Sequence, residues 1–172
     1  LFNDVLVTSG SCGFPLCSST LTNITESGIV KFVGTPPSAT ETGDASFQVI
    51  VIPTVIEEAL PANLADGINY TSATTATLVL TAPGKEFIQI AGSWNNYNPS
   101  ISDVMKRDPS TGKYWLALTG LTSGQVETYQ YWVYDTNPVA NSPSLVKTAD
   151  PYSAVVLSPF DDPYIPSSSY PN

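Results

Sequence analysis

The sequence predicts an all-β protein, and three observations carry that prediction. Short runs of β-branched and aromatic residues recur between turn signals along the chain. No segment has a convincing helical periodicity. The 172 residues include 15 prolines and 11 glycines, which supply many turns, and 42% hydrophobic residues, which suffice for a core. Together these features favour a β-sandwich architecture.

Three candidate strands lie in the first third of the chain, at Val5–Thr8, Gly28–Val33 and Ala45–Ile52. The third is rich in β-branched residues and is ended by Pro53. Two consecutive prolines at positions 36 and 37 interrupt regular structure between the second and third candidate strands. This region is therefore predicted to form a first, small β-domain.

The strands of the second region have clearer boundaries. They are predicted at Ala76–Thr81, Phe87–Ala91, Tyr114–Thr119, Val126–Tyr134 and Ala154–Leu157. A turn is predicted over 108–112, because Pro109 presets φ and Gly112 accepts a positive φ. Along the 126–134 strand, Tyr129, Tyr131 and Val133 alternate with Gln130, Trp132 and Tyr134. Aromatic residues on both faces indicate a central strand.

The chain divides into three predicted parts. A boundary is expected near Thr54–Asn63, where helical character is weak and the segment 66–70 resembles a turn into a new domain. The first domain then covers residues 1–60 and the second covers 61–157. Residues 158–172 contain four prolines and several serines, which is typical of a linker.

Charge and composition exclude several classes of function. The formal charge is −9, so the basic surface that nucleic acid or an anionic membrane requires is absent. There is no histidine, which removes the commonest general base and imidazole-based zinc sites. Asp66-Gly67 and Asp161-Asp162 are the only local hints of calcium, and neither has the spacing of a calcium loop. No metal or cofactor is therefore expected.

The two cysteines, Cys12 and Cys17, lie in one short loop sequence with Gly13 and Pro15 between them. A local disulfide in an oxidising compartment is one interpretation, and a pair of free thiols is the other. Only 12% of the residues are charged, and serine, threonine, asparagine and tyrosine take their place, which suits a secreted β-protein. No apolar run is long enough to span a membrane. The lack of an initiator Met and of a signal peptide predicts a processed or truncated chain.

Four sequence pieces in a fixed order carry a resemblance to a known family. They are Thr77–Gly84, Ala91-Gly92-Ser93-Trp94-Asn95-Asn96-Tyr97, Tyr114–Leu118, and Tyr131–Asp135 with Ala149-Asp150-Pro151-Tyr152. In this order they resemble the immunoglobulin-like module that precedes the catalytic barrel in the α-amylase family of glycoside hydrolases, and the related glycogen-binding modules. The resemblance covers residues 76–164, about half of the chain. The segments 164–166 and 169–172 resemble the junction just before the barrel in bacterial members.

The resemblance implies two immunoglobulin-like β-sandwich domains, the second of the α-amylase N-terminal type. It implies a non-catalytic accessory module of a secreted, starch-degrading enzyme, whose partner is the catalytic barrel of the same polypeptide. Glycoside hydrolysis needs two carboxylates across one bond, and in this family they lie in the barrel, so no catalytic residue is expected here.

The resemblance also points to sugar-binding residues, namely Asn95, Asn96, Tyr97 and Gln130. In glycogen-binding relatives, aromatic rings at these places stack on glucose and nearby amides or amines hold hydroxyls. Tyr97 stands where relatives that bind have Trp, and Gln130 stands where a Lys is expected. Asn95 and Asn96 have a second interpretation as turn residues, because Asn tolerates left-handed geometry.

The tryptophans are expected mainly in the core. Trp94 follows a strand end, where relatives bury an aromatic, although a sugar platform is its alternative interpretation. Trp115 and Trp132 lie mid-strand among apolar neighbours, which favours core or interface packing.

Three functions stay open from the sequence. The first is the accessory module that packs against a barrel. The second is a genuine α-glucan-binding module, which predicts an exposed Tyr97 with Gln130 beside it. The third is an extracellular surface or assembly protein with no sugar role, which predicts a large exposed apolar patch.

Overall fold

The computed structural model describes residues 28–34, 43–49, 51–135 and 142–157. Within these ranges the regular elements are nine β-strands and two short 3₁₀ turns, with no α-helix. The predicted all-β class is confirmed. Across the same ranges, no helix has the length and apolar character that crossing a membrane requires.

The chain forms two compact units, Leu1–Ile52 and Pro53–Asn172. The described part of the first unit is an antiparallel pair, β1 (Gly28–Gly34) with β2 (Gly43–Val49), in which Gly28 lies opposite Val49. Both match predicted strands, although β2 ends at Val49 and residues 51 and 52 are irregular. The predicted strand Val5–Thr8, the cysteines Cys12 and Cys17, and the linker 158–172 lie outside the described residues. The predicted three-part division at 60 and 157 stays a prediction.

The second unit contains two antiparallel sheets. The larger has the order β3–β4–β7–β6 and is built from β3 (Gly67–Ser72), β4 (Thr75–Leu80), β6 (Lys106–Arg107) and β7 (Tyr114–Thr119). The smaller has the order β5–β8–β9 and is built from β5 (Phe87–Gly92), β8 (Tyr129–Tyr134) and β9 (Leu145–Thr148). β8 is therefore a central strand, as its aromatic residues on both faces predict.

The hydrophobic core lies between these two sheets, because both contribute to one buried cluster. Its members are Leu78, Leu80, Ile88, Ile90, Met105, Tyr114 and Tyr131. Tyr129 and Val133 pack against it from the same side of β8 as Tyr131, so the predicted alternation along this strand is correct. Tyr134 lies on the opposite face of β8, where its ring stacks on Phe87 at 4.1 Å between centroids.

Several strand boundaries differ from the prediction. β8 begins at Tyr129 rather than Val126, and residues 126–128 form a loop. Ala154–Leu157 is not a strand: Ala154, Val155 and Val156 are exposed and pair with no strand among the described residues. The apolar residues of this segment predict a strand, but a strand also needs a neighbouring strand to complete its backbone hydrogen bonds. The edge strands β3 and β9 and the two-residue β6 were not predicted.

The segment before β3 lies along the edge of the larger sheet. Glu57 forms a parallel bridge with Arg107 of β6, through Glu58 N–H to Arg107 O at 3.0 Å and Arg107 N–H to Ile56 O at 2.9 Å. The Trp115 indole N–H donates to the carbonyl of Glu58 at 3.0 Å. We call residues 55–58 the edge strap.

Candidate binding groove

A tight 3₁₀ turn, Ser93–Asn95, follows β5 and contains Trp94, the first aromatic residue of the segment 91–97. Trp94 is half-buried and folds back over the strand end: a Cβ added to Gly92 would lie 2.5 Å from its ring. The ring also packs against Tyr129, with 6.4 Å between centroids. Trp94 therefore packs against the edge of the core, as one of its two interpretations expects.

The side chain of Asn95 is bound to the backbone of the strand before it. Its Oδ1 accepts from Gly92 N–H at 2.9 Å, and its Nδ2 donates to Ile90 O at 3.0 Å. These two bonds close the turn and use one donor and one acceptor of the amide. Asn95 thus supports the turn directly.

Asn96 and Tyr97 both take left-handed backbone conformations, with φ of 52° and 56°. Such values are uncommon for residues other than glycine, and Asn tolerates them best. The exposed side chain of Asn96 lies on the surface of the turn, whereas Tyr97 is half-buried and its hydroxyl hydrogen-bonds Thr128 Oγ1. Ser93 Oγ likewise donates to Glu127, so the turn is attached to the loop that leads into β8.

A buried carboxylate joins β8 to the segment after β9. Asp150 is only 3% exposed, and its Oδ2 accepts from the hydroxyls of Tyr129 at 2.6 Å and Tyr131 at 3.3 Å. Its Oδ1 accepts from Tyr152 N–H at 2.8 Å. Burial, followed by the adjacent Asp150 carboxylate, raises the pKa of both tyrosines well above the ordinary value. The three donors satisfy a charge that burial would otherwise penalise.

An open groove of about 860 Å³ lies beside this network. We call it the sheet-end groove and define it by six of its lining residues, Ile68, Tyr70, Tyr97, Gln130, Tyr152 and Val155. Ile68 pairs with the core residue Leu78, so the inner side of β3 faces this space. Tyr70, two residues further on the same side, is nevertheless 77% exposed. The space between the sheets is therefore unfilled at this edge.

Two buried hydrogen-bond donors on β8 have no partner. They are Gln130 Nε2 and Trp132 Nε1, two residues apart and on the strand face that points away from the core. Gln130 is 5% exposed and lies in the wall of the sheet-end groove. The Trp132 ring is covered by the Lys147 ammonium, 4.4 Å from its centroid. Because most buried polar groups are hydrogen-bonded, these two donors need an explanation.

The four sequence-predicted sugar residues take different places. Tyr97 and Gln130 line one groove, which the spacing of their motifs could not reveal. The Asn95 amide is engaged with the backbone and Asn96 is not among the residues that line the groove. Their assignment as a sugar-binding set stays a prediction.

Two groove residues were missed. Tyr70 was treated as part of a turn, and Tyr152 only as a motif residue. Their exposure, 77% and 56%, is the signal that marks them, and only the fold provides it. Asp66, one of the calcium hints, accepts instead from Thr81 Oγ1 and Lys113 Nζ, each at 2.9 Å.

No protein-family model matches the sequence, and no curated protein matches it. The site must therefore be interpreted from its own geometry.

Proposed function

We propose that this chain is a non-catalytic accessory module of a secreted α-glucan-degrading glycoside hydrolase, with two immunoglobulin-like domains, and that it packs against and positions the catalytic barrel. One observation carries the proposal. All four sequence pieces of the resemblance meet at one core, because Leu78, Tyr114 and Tyr131 belong to its buried cluster and Trp94 packs against that cluster. A set of motifs that forms one structural unit supports the resemblance better than the same motifs scattered over a surface.

The packing surface in this proposal is the exposed segment after β9. Val155 and Val156 are largely exposed and adjoin the sheet-end groove. Contiguous exposed apolar residues favour contact with another protein surface. A barrel that covers them would remove this apolar area from water, which stabilises the contact.

The first test is the mass and peptide map of the natural protein that contains this sequence. A protein much larger than the 172-residue chain, with peptides that continue into a barrel sequence, is the expected result. A mature protein no larger than this chain would overturn the proposal.

The second test uses that full-length protein and starch hydrolysis. Val156→Asp places a charge on the proposed packing surface and should lower both thermal stability and activity. Ile101→Asp, at another largely exposed apolar position outside the groove, is the matched control and should change neither. Equal effects of the two substitutions would argue against packing through this segment.

A second candidate is genuine α-glucan binding by this chain, with Asn95, Asn96, Tyr97 and Gln130 as the binding set. The observation that favours it is that Tyr97 and Gln130 line the same groove and that Gln130 Nε2 has no partner. Electrophoresis of the chain through gels with and without glycogen tests it directly. Retardation by glycogen supports binding, and equal mobility in both gels contradicts it.

A further inference from the structure

We infer that residues 158–172, which we call the proline-rich tail, dock as an extended segment on the outer face of the β5–β8–β9 sheet, where their carbonyl oxygens accept from Gln130 Nε2 and Trp132 Nε1. The outer face is the side of this sheet that points away from the core. It is defined by Phe87, Ala91, Gln130, Trp132, Tyr134 and Lys147. The inference concerns this chain alone and does not depend on a catalytic barrel.

The outer face is buried, although the larger sheet lies on the opposite side of β8. Ile90 and Tyr131 point into the core between the sheets, so the alternate residues of β5 and β8 point away from it. Nevertheless Phe87, Ala91 and Tyr134, on the outer face, are at most 3% exposed. The packing of the two sheets against each other does not produce this burial, so the outer face needs another cover.

The donors on the outer face indicate what the cover must supply. Gln130 Nε2 and Trp132 Nε1 are buried and have no hydrogen-bond partner among the described residues. Because an unpaired buried donor costs free energy, a cover with carbonyl acceptors is favoured over a purely apolar one. The Lys147 ammonium lies 4.4 Å from the centroid of the Trp132 ring, and burial lowers its pKa. Negative charge in the cover would therefore also be favourable.

The composition of the tail meets these requirements. It contains four prolines, and each brings a carbonyl acceptor without an N–H donor that would need a partner when buried. The run Pro163-Tyr164-Ile165-Pro166 has the Pro-x-x-Pro pattern of extended segments that dock on aromatic-lined surfaces. Asp161-Asp162 supplies negative charge that complements Lys147. The tail thus combines acceptors, apolar side chains and the required sign of charge.

The position of the tail allows it to reach both donors. Leu157, the last described residue, borders the sheet-end groove together with Thr128 and Gln130, so the tail starts near the first residues of β8. A polyproline segment rises about 3.1 Å per residue, so carbonyls two residues apart are about 6 Å apart along its axis. Alternate residues of a strand, such as Gln130 and Trp132, are about 7 Å apart. The assignment gives the Gln130 amide to the tail and not to the sugar of the second candidate function.

The first experiment observes the indole N–H protons of the 172-residue chain by NMR, with Trp132→Phe to assign the Trp132 signal. We expect nuclear Overhauser effects between the Trp132 indole proton and protons of residues 158–172. The Trp115 indole, which donates to the Glu58 carbonyl at 3.0 Å, is the internal reference and should show effects to residues 58 and 59. Effects from Trp132 to a different segment, or none to the tail, would overturn the inference.

The second experiment measures hydrogen exchange of the same indole groups. Replacing residues 158–172 with glycine and serine at equal length removes the prolines and should speed exchange at Trp132 at least tenfold, while Trp115 stays unchanged. A matched variant converts Ser167, Ser168 and Ser169 to glycine, keeps all four prolines and should exchange like the parent chain. Equal Trp132 rates in the parent and the proline-free variant would contradict docking. If the Trp115 rate rises as well, the fold is lost and the contacts in the parent chain decide.

A synthetic peptide of residues 158–172, added to the proline-free variant, should restore slow exchange at Trp132. Gln130→Met in that variant should weaken the peptide about three- to tenfold, and unchanged affinity would overturn the role of Gln130. Protection in the parent chain that increases with protein concentration would assign the outer face to the tail of a second copy and overturn docking within one chain. These results do not involve starch hydrolysis, so a failure here leaves the proposed function unaffected.

Discussion

The hydroxyl of Tyr129 donates to the carboxylate of Asp150 across 2.6 Å, and this bond connects the second sheet to the segment that follows it. Tyr131 donates to the same oxygen from 3.3 Å. Because Asp150 is buried without a described cation in contact with its carboxylate, these hydroxyls and one backbone N–H provide its hydrogen bonds.

Removing the Tyr129 hydroxyl should therefore cost more than removing that of Tyr131. We expect Tyr129→Phe to lower the unfolding free energy by about 1.5–3 kcal/mol, as for hydrogen bonds to charged groups. Tyr131→Phe removes a longer bond and should cost less. Urea unfolding followed by tryptophan fluorescence measures both, and a larger loss for Tyr131→Phe would contradict the ranking.

Gly92 is required by the ring that lies over it. Its φ of −145° is ordinary extended backbone, so alanine is compatible with the chain conformation, but the added Cβ would meet Trp94 at 2.5 Å. Gly92→Ala should destabilise the protein by about 1–3 kcal/mol, the range for overpacking. In a Trp94→Leu background the same substitution should cost clearly less, which a double-mutant cycle measures. Equal costs in both backgrounds would argue that Trp94 is not the obstacle.

Substitutions of Asn95 and Asn96 should have different effects on stability. Asn95→Ala removes two hydrogen bonds to the backbone and should lower the unfolding free energy by about 1–2 kcal/mol. Asn96→Gly places glycine at a positive φ and should leave stability within about 0.5 kcal/mol. Thermal unfolding of the two variants checks the contrast. A stable Asn95→Ala variant would show that the turn does not depend on this amide.

Alkaline pH should unfold the protein through its buried tyrosines. Burial raises the pKa of Tyr134 from its ordinary value of 10.0 to about 12, and Tyr129 and Tyr131 shift in the same direction. Above pH 10.0 the tyrosines of the unfolded chain release their protons while those of the folded protein retain them. The free energy of unfolding therefore decreases as the pH rises. Stability should be intact below pH 10.0 and fall between there and pH 12.

Chemical unfolding at a series of pH values, followed by tyrosinate absorbance, tests this expectation. Burial raises the pKa of Tyr114 as well. Tyr134→Phe removes one of these four described tyrosines and should flatten the loss of stability over the same pH range. A pH-independent unfolding midpoint through this range would contradict the prediction.

Strands whose side chains fill the core were predictable, and strands that contribute little to the core were not. β4, β5, β7 and β8 carry β-branched and aromatic runs that pack into the core, so their pattern is visible in the sequence. The four-residue β9 and the inner side of β3 lack this pattern, because Ile68 and Tyr70 face an open groove. Ala154–Leu157 is the reverse case: its apolar run predicts a strand, but no strand among the described residues pairs with it. Whether a partner strand is present depends on tertiary structure, which local pattern does not contain.

For the candidate site, the sequence identified the turn but could not assign roles within it. Asn95 and Tyr97 are only two positions apart, yet their side chains have different roles. The Asn95 amide binds the backbone, whereas the Tyr97 hydroxyl hydrogen-bonds Thr128. Tyr70 and Gln130 are 60 positions apart in the chain and share one groove. Only the pairing of β3 with β4, and the stacking of the two sheets, brings them together.

The edge strap determines where a minimal folded fragment can begin. A polypeptide that starts at residue 61 would lack the Glu58 carbonyl that accepts from Trp115, and β6 would lose its backbone partner at Arg107. An unpaired strand edge invites association with other copies. A polypeptide that starts at Pro53 retains both contacts. A polypeptide that starts at residue 61, the boundary predicted from the sequence, is therefore at risk of aggregation. Including the eight residues 53–60 pairs the edge of the sheet and removes the reason for that risk.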